Sequence, residues 1–195
     1  MTDPEKKMMP PTLKQIQKRI LLLTTSLVSF DGIVFRSSTP KYANDSDLVS
    51  GTGSKLHGQR WNPAGIAVLY ASLTPEAAMA ETLAHYRYYE IPIEEAMPRV
   101  FVGIQVKVGS ILDLRAADTV RRLGVSKQRL LKNDWRREVS LGHVPLTQQV
   151  GLAAYNSGLE GLLVPSAAEK SGTNLLLFPD NFSSDLRVSV RGISK

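Results

Sequence analysis

The 195-residue chain has no cysteine. That excludes disulfides and thiolate-held zinc, and it suits a reducing compartment. Histidine is scarce as well. His57, His85 and His143 lie too far apart for the spacing of a helix-borne or loop-borne zinc site, so no metal site is expected. No G-x-G-x-x-G follows a strand-like run, which argues against a doubly wound dinucleotide fold. Gly51-Thr52-Gly53 supplies only G-x-G, within a loop. No G-x-S-x-G elbow is present. Long apolar runs are missing too. The nearest, Ile20 to Phe30, is interrupted by Thr24, Thr25 and Ser26. It falls short of the ~20 apolar residues that span a bilayer. Lys6, Lys7, Lys14, Lys18 and Arg19 precede it as in a signal peptide, but Leu27-Val28-Ser29-Phe30 offers no small-x-small cleavage site. The expectation is a soluble, cytoplasmic protein with no membrane partner.

What is present suits one globular domain. Apolar residues make up 43% and charged residues 22%, enough for a real core at this length. The formal charge is +6. Three readings fit that surplus: an ordinary basic surface, a nucleic-acid contact, or a pocket for an anionic small molecule such as a dinucleotide.

Residues 1–12, with Pro4, Pro10 and Pro11, read as a polar lead-in. Leu13, Ile16, Ile20, Leu23 and Leu27 recur at helical spacing and predict an amphipathic helix packed on its own domain. Residues 1–30 are therefore taken as an N-terminal extension and 31–195 as the domain proper. Ile33 to Arg36 predicts a strand, and residues 37–59 a long loop. Ala67 to Ala71 predicts a second strand. Thr74 and Pro75 open a helix running to about Tyr89. Val100, Val102, Ile104, Val106 and Val108 alternate along a third strand over 99–108, which Leu112 to Leu114 extend. Residues 115–140 read as basic helices broken at Gly124, with Ser126 as a new cap. Pro145 opens a helix that ends at Gly158. Gly161 to Val164 and Leu175 to Phe178 predict two short strands. The fold class is α+β, with a mostly antiparallel or mixed sheet and flanking helices.

Four features carry possible chemistry. Arg36 ends an otherwise apolar strand, and its guanidinium fork matches a diphosphate or a pair of ribose hydroxyls. The alternative is a surface residue at a strand end. Gly58-Gln59-Arg60-Trp61-Asn62-Pro63 packs a glycine, a cation, a flat aromatic and an amide into one loop. It can bind a phosphate and stack on a ring, or it is a tight turn anchored by Trp61. Glu81 has Ala77, Ala78, Ala84 and His85 as helical neighbours, leaving room beside its carboxylate and no cation to pair with it. The plain alternative is a solvated helical glutamate. Ser166 ends the Val164-Pro165-Ser166-Ala167 segment, where it can orient a carboxylate or simply form a turn.

Together and in this order these segments resemble the RES domain family. The resemblance runs from about Ile33 to Asn181. It rests on Val34-Phe35-Arg36, Ser50-Gly51-Thr52-Gly53-Ser54, His57 to Gly65, Leu69-Tyr70-Ala71-Ser72 and Ala80-Glu81-Thr82-Leu83. It closes with Gly161 to Ser166 and Asn174 to Pro179. It implies a fold similar to ADP-ribosyltransferases, with a split sheet clasping NAD⁺. It also implies an active site of Arg36, Tyr70, Glu81 and Ser166, with Arg60, Trp61 and Asn62 adding to the NAD⁺ contacts. NAD⁺ is then the substrate, and no cofactor is expected. The family contains toxins of bacterial toxin–antitoxin pairs, so a cognate Xre-type antitoxin is the expected protein partner. One departure stands out: the family loop has two glycines before its arginine, and Gln59 holds the second place.

The implied reaction is cleavage of the nicotinamide–ribose bond. Water as acceptor makes a glycohydrolase, phosphate a phosphorylase, and a macromolecule a mono-ADP-ribosyltransferase. The competing class is a non-catalytic nucleic-acid-binding or interaction module using Arg115 to Arg137. That stretch also carries Asp118 and Asp134, so direct nucleic-acid contact is not expected.

Overall fold

The computed structural model describes residues 10–182 and 187–191. Helix α1, Leu13–Leu21, opens on a capping box between Thr12 and Gln15. Its Ile16 and Ile20 are fully buried against the body of the protein, so it packs on its own domain as expected. The helix was expected to reach Leu27 and stops at Leu21. Thr24–Ser26 instead form a single tight turn, where β-branched threonines fit an α-helix poorly. Leu23 is still buried beyond the helix end.

Strand β1, Val28–Ser38, starts five residues before the expected Ile33. Its first half is mostly exposed and carries Ser29, Asp31 and Gly32, so no apolar alternation marks it. It is held by antiparallel pairing with β3, Val100–Asp113, in the register Val34↔Ile104. The expected loop over 37–59 contains two short helices, α2 (Asp45–Ser50) and α3 (Thr52–His57). Asn44 caps α2, and Leu48 anchors it in the core. Gly51 separates the pair in a left-handed conformation, where an added Cβ would lie 2.7 Å from the Val68 backbone nitrogen.

Strand β2 is Leu69–Ser72, and α4 is Pro75–Tyr88 behind the Thr74 cap. The basic segment divides into α5 (Ala117–Leu123), α6 (Lys127–Lys132) and α7 (Trp135–Ser140). Gly124 ends the first and Ser126 caps the second, as read from sequence. Helix α8 is Leu146–Asn156, and strands β4 and β5 are Gly161–Pro165 and Thr173–Leu177. A last strand, β6 (Arg187–Arg191), has no counterpart in the sequence reading.

The sheet is mixed and closes on itself. Its order is β1-β2-β5-β4-β3-β6, with β1 also paired to β3. Among the described residues only β3 and β4 run parallel. The ring is narrow at two places, the single β1–β2 pair Phe35↔Ser72 and the short β3–β4 ladder. Alternation along the strands divides the core. Leu69, Ala71, Leu163, Leu175 and Leu177 join Val34, Ile104 and Val106 in one cluster. Leu162, Val164 and Leu176 join α1, α5 and α8 in the other. Fully burying one such side chain is worth ~1.5–3 kcal/mol. No helix among the described residues is long and apolar enough to cross a membrane.

Candidate active site

Beside the Phe35↔Ser72 pinch lies a cleft of about 750 Å³, within the size range of small-molecule sites. It is lined by β1, β2, β5, the α3–β2 loop, α4 and α7. Arg36, Arg60, Arg99 and Arg136 line it, and Glu81 is its only carboxylate among the described residues. Among the described residues none of these four arginines forms a salt bridge. The cleft is therefore electropositive around one fixed negative group.

That negative group is held from one side. Ser166 Oγ donates to Glu81 Oε1 at 2.6 Å, and Asn174 Nδ2 donates to the same oxygen at 2.6 Å. Such short bonds to a carboxylate are charge-assisted. The Ser166 hydroxyl is itself oriented, because it accepts from the backbone N–H groups of Ala168 and Glu169. Ser166 is buried, and the cleft is lined by its neighbours Pro165 and Ala167 rather than by Ser166. Its hydroxyl is therefore linked to the cleft through Glu81. Oε2 of Glu81 has no partner among the described residues.

Arg36 reaches the cleft from β1. The residue is half-buried, yet its Nη1 atom is inaccessible to water and has no hydrogen-bond partner. Burial lowers its pKa from the ordinary arginine value. A guanidinium in this state is costly unless an anion arrives. The hydroxyl of Ser37 next to it is also buried without a partner.

Of the two readings of the loop over 58–63, the structure shows the tight turn anchored by Trp61. Asn62 is 1% exposed, and its Nδ2 donates to the carbonyls of Ser54, Pro63 and Ile66. Its Oδ1 accepts from the Tyr70 hydroxyl at 2.8 Å. Every polar atom of that side chain is spent inside the loop, so Asn62 staples the turn and does not reach the cleft. Trp61 is 4% exposed, and its indole anchors the helical core while touching the cleft wall. Tyr70 also accepts from the Trp61 backbone N–H. Its ring faces the cleft, its hydroxyl is committed, and burial pushes its pKa far above the usual phenol range. Arg60 donates to the carbonyls of Leu130 and Leu131 at the end of α6. Burial lowers its pKa, and the Glu81 charge opposes that shift. Arg60 therefore ties α6 to the loop while facing the cleft.

The Gln59 departure has a local explanation. Gln59 is exposed and lines the cleft, so a side chain is accommodated there. Gly58 is the position that needs glycine: its φ is +66°, and an added Cβ would lie 2.9 Å from the Ala64 nitrogen.

Further cleft groups were not among the expected NAD⁺-site residues. Asn174 precedes the expected strand 175–178, but it shares a face of β5 with Leu176, which also lines the cleft. A polar side chain on the cleft face of an otherwise leucine-rich strand is the signal that would have found it. Arg99 donates to the Tyr86 hydroxyl at 3.1 Å. The Arg136 guanidinium lies over the rings of Trp135 and Tyr88. Tyr88 in turn donates to Asp134. These groups come from α4, α7 and the residue before β3, and no local motif links them.

Three cations of the basic stretch over 115–137 have acidic partners. Arg115 pairs with Asp113 at 2.8 Å, and Arg121 and Arg122 pair with Asp118.

The Toxin Res of Photorhabdus laumondii subsp. laumondii is 29% identical over 148 residues, covering 75% of this chain and 81% of its own length. The Prs ADP-ribosylating toxin of a Sphingobium species is 31% identical over 72 residues, 37% of this chain. That alignment spans 45% of the Sphingobium protein. Among solved structures, the M. tuberculosis MbcT–MbcA toxin–antitoxin complex contains a chain of the same fold. It matches with a TM-score of 0.71 at 20% identity, over 92% of this chain and 90% of that one. The RES domain model matches residues 33–192, which takes in the second half of β1, all of β2 to β6 and every cleft residue named above. The chain belongs to the RES domain family.

Proposed function

We propose that this protein is the toxin component of a toxin–antitoxin pair and cleaves NAD⁺ at the nicotinamide–ribose bond. The observation that carries the reading is a paired feature of one cleft. A carboxylate is pinned by two donors, and the same cleft is lined by an arginine whose buried Nη1 atom lacks a partner.

The chemistry follows from charge. The C1′–N bond breaks with its electron pair going to the nicotinamide nitrogen, so the leaving group departs neutral. The ribose left behind has oxocarbenium character, as in glycoside cleavage. Glu81 supplies negative charge to that centre and accepts from a ribose hydroxyl through Oε2. Arg36 holds the diphosphate, and Arg60 adds positive charge from the loop. The Tyr70 ring forms a wall for the nicotinamide. Catalysis is electrostatic stabilisation plus positioning, because the donors are in place before substrate arrives. An acceptor then attacks C1′ and loses a proton. NAD⁺ is substrate here, and the reading calls for no cofactor.

The acceptor sets the reaction class. Water or phosphate gives a glycohydrolase or a phosphorylase. The relative named as an ADP-ribosylating toxin favours a second reading, transfer to a macromolecule. The partner we infer is a cognate antitoxin of Xre type that covers the cleft in the cytoplasm, and the solved toxin–antitoxin complex of the same fold supports a partner of that kind. The deciding experiment follows NAD⁺ by chromatography with purified protein, with and without phosphate. Loss in both buffers with free ADP-ribose identifies a hydrolase. Loss only with phosphate identifies a phosphorylase. No loss by folded, partner-free protein overturns the glycohydrolase and phosphorylase readings.

A further inference from the structure

Glu81 has two carboxylate oxygens in different situations. Oε1 accepts from both Ser166 and Asn174, while Oε2 is left for the cleft. The Asn174 amide is oriented from behind. Ser72 Oγ lies 2.7 Å from Asn174 Oδ1. The direction of this chain is set by chemistry. An amide oxygen turned toward Glu81 would put two acceptors 2.6 Å apart, so the amide nitrogen must face the carboxylate. Ser72 must then donate to Oδ1. The relay runs from the Ser72 hydroxyl through the Asn174 amide to Oε1.

Sheet topology places each member. Ser72 is the residue of β2 that meets β1 at the Phe35 pinch, and Arg36 is the next residue of β1. Asn174 is directly opposite Ser72 on β5 and opposite Val164 on β4. The three strands that meet here thus deliver Arg36, Ser72 and Asn174 to one point, with Ser166 two residues beyond Val164. We propose that Asn174, oriented by Ser72, is a positioning residue for Glu81. It shares Oε1 with Ser166 and so reserves Oε2 for substrate.

The inference rests on Glu81 as the reacting carboxylate, and its test has two arms. The first reads turnover. Asn174→Ala lowers kcat by about 10²-fold, as for other small misplacements of a reacting group, and leaves KM for NAD⁺ within about threefold. Asn174→Asp keeps the side-chain shape, removes the donor and sets a like charge against Glu81. At pH 8 it is no more active than Asn174→Ala. Ser72→Ala loses part of the activity, and Ser72→Thr, which keeps the hydroxyl, restores it. Wild-type turnover in Asn174→Asp would show a space-filling role and overturn the inference. The second arm needs no activity. In NMR spectra of the intact protein one Asn174 side-chain amide proton lies downfield of the ordinary asparagine range, and it returns to that range in Glu81→Ala. Failure of wild-type protein to consume NAD⁺ would remove the proposed reaction while this arm still decides the relay. An Asn174 amide proton in the ordinary range would overturn the relay itself.

Discussion

Replacing Arg36 by methionine separates function from stability in opposite directions. The Arg36 Nη1 atom is buried and makes no hydrogen bond, and no carboxylate among the described residues offsets the charge. A buried, unsatisfied polar group costs ~1–3 kcal/mol. Arg36 is half-buried as a residue, so the lower part of that range applies, about 1–2 kcal/mol. Methionine matches the aliphatic stem and carries no charge to desolvate. Arg36→Met therefore raises stability by about 1–2 kcal/mol, or ~2–8 °C in Tm for a domain of this size. The same substitution removes the group assigned to the diphosphate. In the wild type, NAD⁺ at a hundred times its Kd adds about 2.7 kcal/mol to stability. That increment disappears in the variant. Scanning calorimetry with and without NAD⁺, with both proteins carrying Glu81→Gln to slow consumption of the ligand, measures both quantities. A lower Tm in Arg36→Met, with the ligand shift intact, would make Arg36 a structural strut and refute the reasoning.

Other outcomes follow from the same geometry. Glu81→Gln keeps shape and loses charge, so kcat falls by roughly 10²–10³-fold with little change in KM. Steady-state NAD⁺ consumption checks this, and equal turnover would remove Glu81 from the mechanism. Ile20→Ala empties a fully buried site on α1 and costs ~2–5 kcal/mol in urea unfolding, although Ile20 precedes the family match. A cost below about 1 kcal/mol, near the level of surface substitutions, would mean that α1 docks loosely. Burial, with the charges of Arg136 and Arg99, holds the His85 pKa below its ordinary value. Above the unfolded pKa both states are neutral and the residue is silent. As pH falls through ~6.5 the unfolded chain takes up a proton that the folded one resists, so stability drops. His85 is largely exposed, so the drop is small. Urea titrations at pH 8 and pH 5.5 should show a shallower pH slope in His85→Gln, and an unchanged slope would refute the assignment.

Local signals in the sequence determined the helices that have caps and the strands that have a buried face. Thr74 with Pro75, Gly124 with Ser126, and the even-numbered run from Val100 to Val108 each act within a few residues, so they can be read without a fold. The motif order was equally legible, and with it Arg36, Glu81 and Ser166. Tertiary structure decided the rest. Strand β1 extends back to Val28 because β3 supplies its hydrogen bonds, and an exposed strand half carries no hydropathy pattern. Asn62 turned inward because Tyr70, eight residues on, claims its carbonyl oxygen. Asn174 became a partner of Glu81 only when β2, β5 and β4 lay side by side. A cap or an alternation is an interaction between neighbours in the chain. The grip on Glu81 joins residues 85 and 93 positions apart, and only closure of the sheet brings them within a hydrogen bond.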